Sequence, residues 1–117
     1  MDMQYRRLLD SVTLSAGDVV DLTGALDLGQ YRELHIVVTI HQAGEAQEGE
    51  SVTLSVKHAA INEEALYLDF ETPAEVSLTS PGTSWFHAST FTRYVWWFVS
   101  GTLLSDAVVT LDLVGKG

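Results

Sequence analysis

The segment Arg93-Tyr94-Val95-Trp96-Trp97-Phe98-Val99 constrains the fold more than any other part of the chain. On a β-strand, successive side chains point to opposite faces. Tyr94, Trp96 and Phe98 therefore share one face, and Val95, Trp97 and Val99 share the other. Both faces are apolar, whereas a half-buried strand alternates apolar with polar residues. Such a strand needs cover on both sides. In a chain of 117 residues the second cover is expected from another protein chain. The expected orientation has Tyr94, Trp96 and Phe98 facing the core. Val95, Trp97 and Val99 then face a second sheet or a neighbour and form the expected interface patch. Strand geometry requires that Trp96 and Trp97 oppose each other; it does not say which of them points inward.

Three further runs have the same period. Leu34, Ile36, Val38 and Ile40 alternate with Glu33, His35, Val37, Thr39 and His41. Val52, Leu54 and Val56 alternate with Ser51, Thr53, Ser55 and Lys57. Val109, Leu111 and Leu113 alternate with Val108, Thr110 and Asp112. Weaker strand signals cover residues 8–14, 19–22, 66–70, 75–78 and 85–88. Gly17-Asp18, Gly24, Gly29, Gly44, Gly49, Pro73, Pro81-Gly82 and Gly101 punctuate them. About eight short strands separated by turns predict an antiparallel β-sandwich of jelly-roll-like type. Residues 1–117 read as a single domain, with 1–7 as an N-terminal arm. Residues 59–65 read as a loop or one helical turn. The segment Ala43-Gly44-Glu45-Ala46-Gln47-Glu48-Gly49-Glu50 reads as a solvated, mobile hairpin loop between two strong strands.

Charge narrows the possible partners. Sixteen acidic and six basic residues give a net charge of −10. Nucleic acid binding needs clustered Lys and Arg, and Arg6-Arg7 is the only basic pair. Neither nucleic acid nor an anionic membrane surface is an expected partner. No run approaches the roughly 20 apolar residues of a membrane span. The first ten residues lack the apolar centre of a Sec signal, so the chain is expected to stay soluble or leave the cell by lysis. With no cysteine, disulfide stapling and thiolate chemistry are excluded.

Candidate catalytic and metal-binding groups do not converge in the sequence. His35 and His41 share a strand face but lie roughly 20 Å apart. His41 and His58 fall at opposite ends of the expected hairpin, and the three or four converging ligands of a zinc site are not visible. No metal site and no cofactor are expected. Glu45, Glu48 and Glu50 lack the spacing of an organised calcium loop. Asp69 and Glu71 could stand about 7 Å apart on one strand face, but so short a chain scarcely supports a sugar cleft. Ser84 and His87 fall on opposite faces of an extended strand, and no nucleophile elbow surrounds Ser84 or Ser89. The expectation is a protein without catalytic residues.

The stretch Leu28-Gly29-Gln30-Tyr31-Arg32-Glu33-Leu34 resembles the Leu-Gly-x-Tyr-Arg-x-Leu opening of a group of small β-rich proteins. These are encoded among the virion genes of tailed bacteriophages, prophages and gene-transfer-agent-like elements. The resemblance continues through residues 52–57, Ser84-Trp85-Phe86, Phe91-Thr92-Arg93-Tyr94-Val95, Gly101-Thr102 and Val114-Gly115-Lys116, and so spans roughly residues 22–116. Two departures stand out. Ser80-Pro81-Gly82-Thr83 lacks the acidic residue of the family's turn, and Trp96 or Trp97 replaces an arginine of the closing aromatic strand. The resemblance implies a virion structural protein, assembled in the host cytoplasm, with no catalytic residues to carry over. Its concrete form is an auxiliary protein decorating a capsid as a homo-oligomer such as a trimer, with the major capsid or another virion protein as partner. Arg6 and Arg7 on the N-terminal arm would then meet an acidic neighbour. A tail, neck or fibre component is the alternative. From a different class, a carbohydrate-binding module would use the tryptophans as a stacking platform.

Overall fold

The computed structural model describes residues 3–18, 21–63, 66–69, 75–88 and 93–117. Among the described residues, eleven strands follow one another along the chain. They are β1 (Met3–Leu14), β2 (Gly17–Asp18), β3 (Asp21–Asp27), β4 (Glu33–Gln42), β5 (Thr53–Ala59), β6 (Leu68–Asp69), β7 (Glu75–Ser77), β8 (Gly82–Ala88), β9 (Tyr94–Ser100), β10 (Thr102–Leu103) and β11 (Ala107–Lys116). The first sheet has the order β1-β11-β4-β8. The second has the order β3-β9-β5-β6, with β7 also paired to β5, and β10 pairs β2 in a short ribbon. Every pairing is antiparallel.

The eight principal strands alternate between the sheets except at β5 and β7, which follow one another in the second sheet. β1, β4, β8 and β11 lie in the first; β3, β5, β7 and β9 lie in the second. This is the winding of a jelly-roll-like sandwich built from two Greek keys. The inward residues of both sheets meet in one core. Leu34, Ile36, Val38 and Ile40 of β4 and Val109, Leu111 and Leu113 of β11 face Leu54 and Val56 of β5 and Val95, Trp97 and Val99 of β9. The period-2 pattern of each run thus maps onto one buried face, as strand geometry requires.

Three sequence expectations need correction. First, the core takes the opposite face of β9 from the one expected. Val95 and Trp97 are 0% and 1% exposed, and Val99 is also buried. These three residues fill the sandwich interior and are not an interface patch. The face turned outward carries Tyr94, Trp96 and Phe98, each half-buried. Its cover comes largely from the same chain. Tyr67 stacks edge-on against Trp96 at 5.5 Å, Lys57 lies over the Phe98 ring, and Arg93 lies over Tyr94. Long basic side chains can shield apolar surface in this way while keeping the charge in water.

Second, residues 43–50 do not form a hairpin loop. β4 and β5 belong to different sheets, so the segment crosses the sandwich edge. Its first residues are tied down: the Gly44 N–H donates to the Leu78 carbonyl, and the Leu104 N–H donates to the Glu45 carbonyl. Glu45, Glu48 and Glu50 are exposed.

Third, no free arm begins at Met3. β1 pairs with β11 from Met3↔Lys116 to Leu14↔Ala107. It is an edge strand with two register shifts, and Ser11 there has a φ of 48°. Bulges along an edge distort the ladder that would otherwise recruit foreign strands.

Candidate functional site

The outward face of the first sheet is built from register alone. Three rows cross the strands. One runs Met3, Lys116, Glu33. The next runs Tyr5, Val114, His35, His87. The third runs Arg7, Asp112, Val37, Trp85. Met3, Tyr5 and Trp85 are 64%, 60% and 71% exposed. Val37 and Val114 lie half-buried between them. Met3, Tyr5 and Arg7 on β1 and Trp85 on β8 thus stand at the two edges of one face, and these residue types are enriched at interfaces.

The charges on this face are paired. The Tyr5 hydroxyl donates to Asp112 Oδ1 at 2.6 Å, and Arg7 Nε donates to the same oxygen at 2.8 Å. Lys116 Nζ lies 3.9 Å from Glu33 Oε2. These three rows thus balance two cations against two carboxylates, in a chain whose overall charge is −10. Two copies could therefore meet here with little mutual repulsion.

Hydrogen bonding from Arg7 holds the Asp112 carboxyl below its ordinary range, against an opposing effect of burial. The group is charged more readily in the folded state than in the unfolded state. Its stabilising contribution is complete above the ordinary carboxylate range and is lost as pH falls through the depressed value. Asp112→Asn is expected to lower the urea midpoint slightly near neutral pH, because exposed pairs contribute little. As pH falls below the depressed Asp112 value the difference from wild type should shrink toward zero. A difference that grew on acidification would rule out this account.

The expected basic contact is divided by strand alternation. Arg7 lies outward beside Asp112, whereas Arg6 pairs in register with the inward Leu113 and is exposed on the opposite side of β1. An inward-pointing charge at a sheet edge is a common guard against edge pairing. The two arginines do not form one patch.

Most candidate chemistry stays apart. Ser84 is in register with the inward Val38 and His87 with the outward His35, so they do lie on opposite faces of β8. His41 lies outward and shares a hydrogen bond of 2.7 Å with Thr110 Oγ1. His58 is in the second sheet. Glu71, Ser89, Phe91 and the side chain of Asp69 lie outside the described residues. Arg93 clamps Asp27 through Nε and Nη2, with Nη2 at 2.9 Å from Oδ2. This ion pair lines an open concavity with Gly29 and Gln30. Hydrogen bonding to Arg93 holds the Asp27 carboxyl low, so the pair is a neutralised surface clamp.

One cluster was missed in the sequence. Glu33, His35 and His87 bring their ligand atoms within 4.8 Å of one another. Glu33 and His35 are two apart on β4, and so share a face. The signal for His87 is the β4–β8 register, which places it directly opposite His35.

No protein-family model and no curated protein sequence matches the chain. Solved structures do. The SPBc2 prophage-derived protein YomS superposes with a TM-score of 0.52 at 12% identity, over 97% of this chain and 94% of that one. A chain of the Bacillus endospore appendages, described as a novel family of disulfide-linked pili, superposes with a TM-score of 0.56 at 8% identity, over 98% of this chain and 89% of that one. At these identities the likeness is one of fold: a prophage-derived protein and a pilus protein share this sandwich.

Proposed function

We propose that this chain is a non-enzymatic structural subunit that associates through the outward face of its first sheet. The observation that carries the proposal is the exposure of Met3 and Tyr5 at one edge of this face and of Trp85 at the other, with the half-buried Val37 and Val114 between them. Fold likeness to a prophage-derived protein and to a pilus protein supports a building-block role. The specific form of the reading is an auxiliary component of a phage-type virion, assembled in the host cytoplasm. It would bind copies of itself and the major capsid protein, or a tail, neck or fibre protein. These residues carry no cysteine, so the disulfide linkage named for the endospore pili is not open to them. Association must rest on packed faces, and a lattice can add up contacts that are weak individually.

The test is mass in solution, by light scattering coupled to size exclusion, with and without candidate particles. The wild-type chain is expected to form a defined oligomer or to bind particles. Trp85→Glu should weaken that association by on the order of 30-fold or more, as loss of an aromatic anchor does. Val95, Trp97 and Val99 play no direct part. A monomer that ignores particles, or an oligomer unchanged by Trp85→Glu, would overturn the proposal.

The exposed indole of Trp85 on a flat sheet face also favours a second reading, a carbohydrate-binding module. Tryptophan emission should then shift on titration with polysaccharide and lose that response in Trp85→Ala. A structural subunit gives no such shift.

A further inference from the structure

We propose that Glu33, His35 and His87 form a binding site for a divalent transition-metal ion, with zinc the best fit. Two neutral imidazoles and one carboxylate are a donor set that suits Zn²⁺, Ni²⁺ or Cu²⁺ and disfavours Ca²⁺ and Mg²⁺, which take oxygen ligands. The donors reach one point for a topological reason. His35 and His87 are cross-strand partners in register, and Glu33 precedes His35 by two residues on the same face. Their rings lie 4.7 Å apart between centroids, and His87 Nε2 is already 3.6 Å from Glu33 Oε2. Ligands of a tetrahedral zinc ion stand about 3.3 Å apart. The remaining closure is small, and the side chains of His87 and Glu33 are about half exposed, at 50% and 44%, so they can rotate to supply it.

Lys116 is the group that opposes metal binding. Its ammonium sits 3.9 Å from Glu33 Oε2, and a metal would displace it into water. Three protein donors leave coordination open, which water or a fourth side chain can fill. Its ligands all come from one chain and lie in the first two rows of the proposed contact face.

Calorimetric titration of tag-free protein with zinc chloride tests this directly. One ion per chain is expected, with affinity lowered at least about tenfold in His35→Ala and in His87→Ala. Lys116→Gln should bind more tightly than wild type. His41→Ala and His58→Ala should bind as wild type does, and circular dichroism should show all variants folded. Retention of binding in the His35→Ala/His87→Ala double variant would overturn the site. So would dependence on His41 or His58, or failure of the wild type to bind at millimolar zinc.

Discussion

Trp97→Ala is expected to destabilise the chain by about 3–5 kcal/mol, against about 1–2 kcal/mol for Trp96→Ala. The two residues are adjacent and chemically identical, so the contrast isolates their environments. Trp97 is 1% exposed and sits between the sheets, opposite the apolar faces of β4 and β11. Its truncation removes the largest fully buried side chain and leaves a cavity that the paired strands cannot close. Trp96 faces outward and touches Tyr67 and Phe98 at 5.5 Å between ring centroids. Its truncation loses part of an aromatic ladder, and water can enter the space. A small domain holds only about 5–15 kcal/mol in total. Trp97→Ala should therefore leave a measurable unfolded population, while Trp96→Ala should not. Urea unfolding, followed by the remaining tryptophans, gives both values. Equal costs, or a larger cost for Trp96→Ala, would show that the faces of β9 are assigned the wrong way round.

That contrast also marks the limit of what the sequence could say. Alternation at Leu34–Ile40 and Val109–Leu113 was readable because one face of each run is polar enough to reveal its partner. In Tyr94–Val99 both faces are apolar, so period 2 fixes the opposition of Trp96 and Trp97 and leaves the sign open. The sign depends on distant residues. Tyr67 and Lys57, with the adjacent Arg93, cover one face, and the opposite sheet covers the other. Arg6-Arg7 looked like one patch because adjacency in sequence was read as adjacency in space. A strand separates such neighbours to opposite sides.

Pairing between distant strands was the second blind spot. Residues 43–50 join two alternating runs, and alternation alone suggested a hairpin. Their number was a usable warning, since hairpin loops generally hold 2–5 residues. The Glu33–His35–His87 cluster was hidden for the same reason. Its third member arrives only through the β4–β8 register, which no local pattern encodes.

Gly115→Val provides the second large effect, and its sign is the useful part. Valine suits a strand better than glycine, so intrinsic preference predicts stabilisation of up to about 1 kcal/mol. The structure predicts a loss of about 1–3 kcal/mol or more. Gly115 is buried in β11 between Gln4 of β1 and Leu34 of β4, and its φ is not among the positive ones. Backbone freedom is not what the position needs; space is. The ring of Tyr31 lies directly on Gly115, where any Cβ would collide with it. That ring is held in place. It is 7% exposed, its hydroxyl donates to Gln4 Oε1, and the neighbouring Arg32 N–H donates to the Lys116 carbonyl at 2.7 Å. An aromatic ring laid over a strand glycine is a known way of covering the gap that glycine leaves. It also joins two distant stretches of the chain, since Leu28–Leu34 packs through Tyr31 onto Val114-Gly115-Lys116. The decisive measurement is a double-mutant cycle of Gly115→Val with Tyr31→Ala. Removing the ring makes room for the valine, so the double variant should be more stable than the sum of the two losses predicts, by about 0.5–3 kcal/mol. Strict additivity, or a stabilising Gly115→Val single variant, would mean that the ring does not occupy this position.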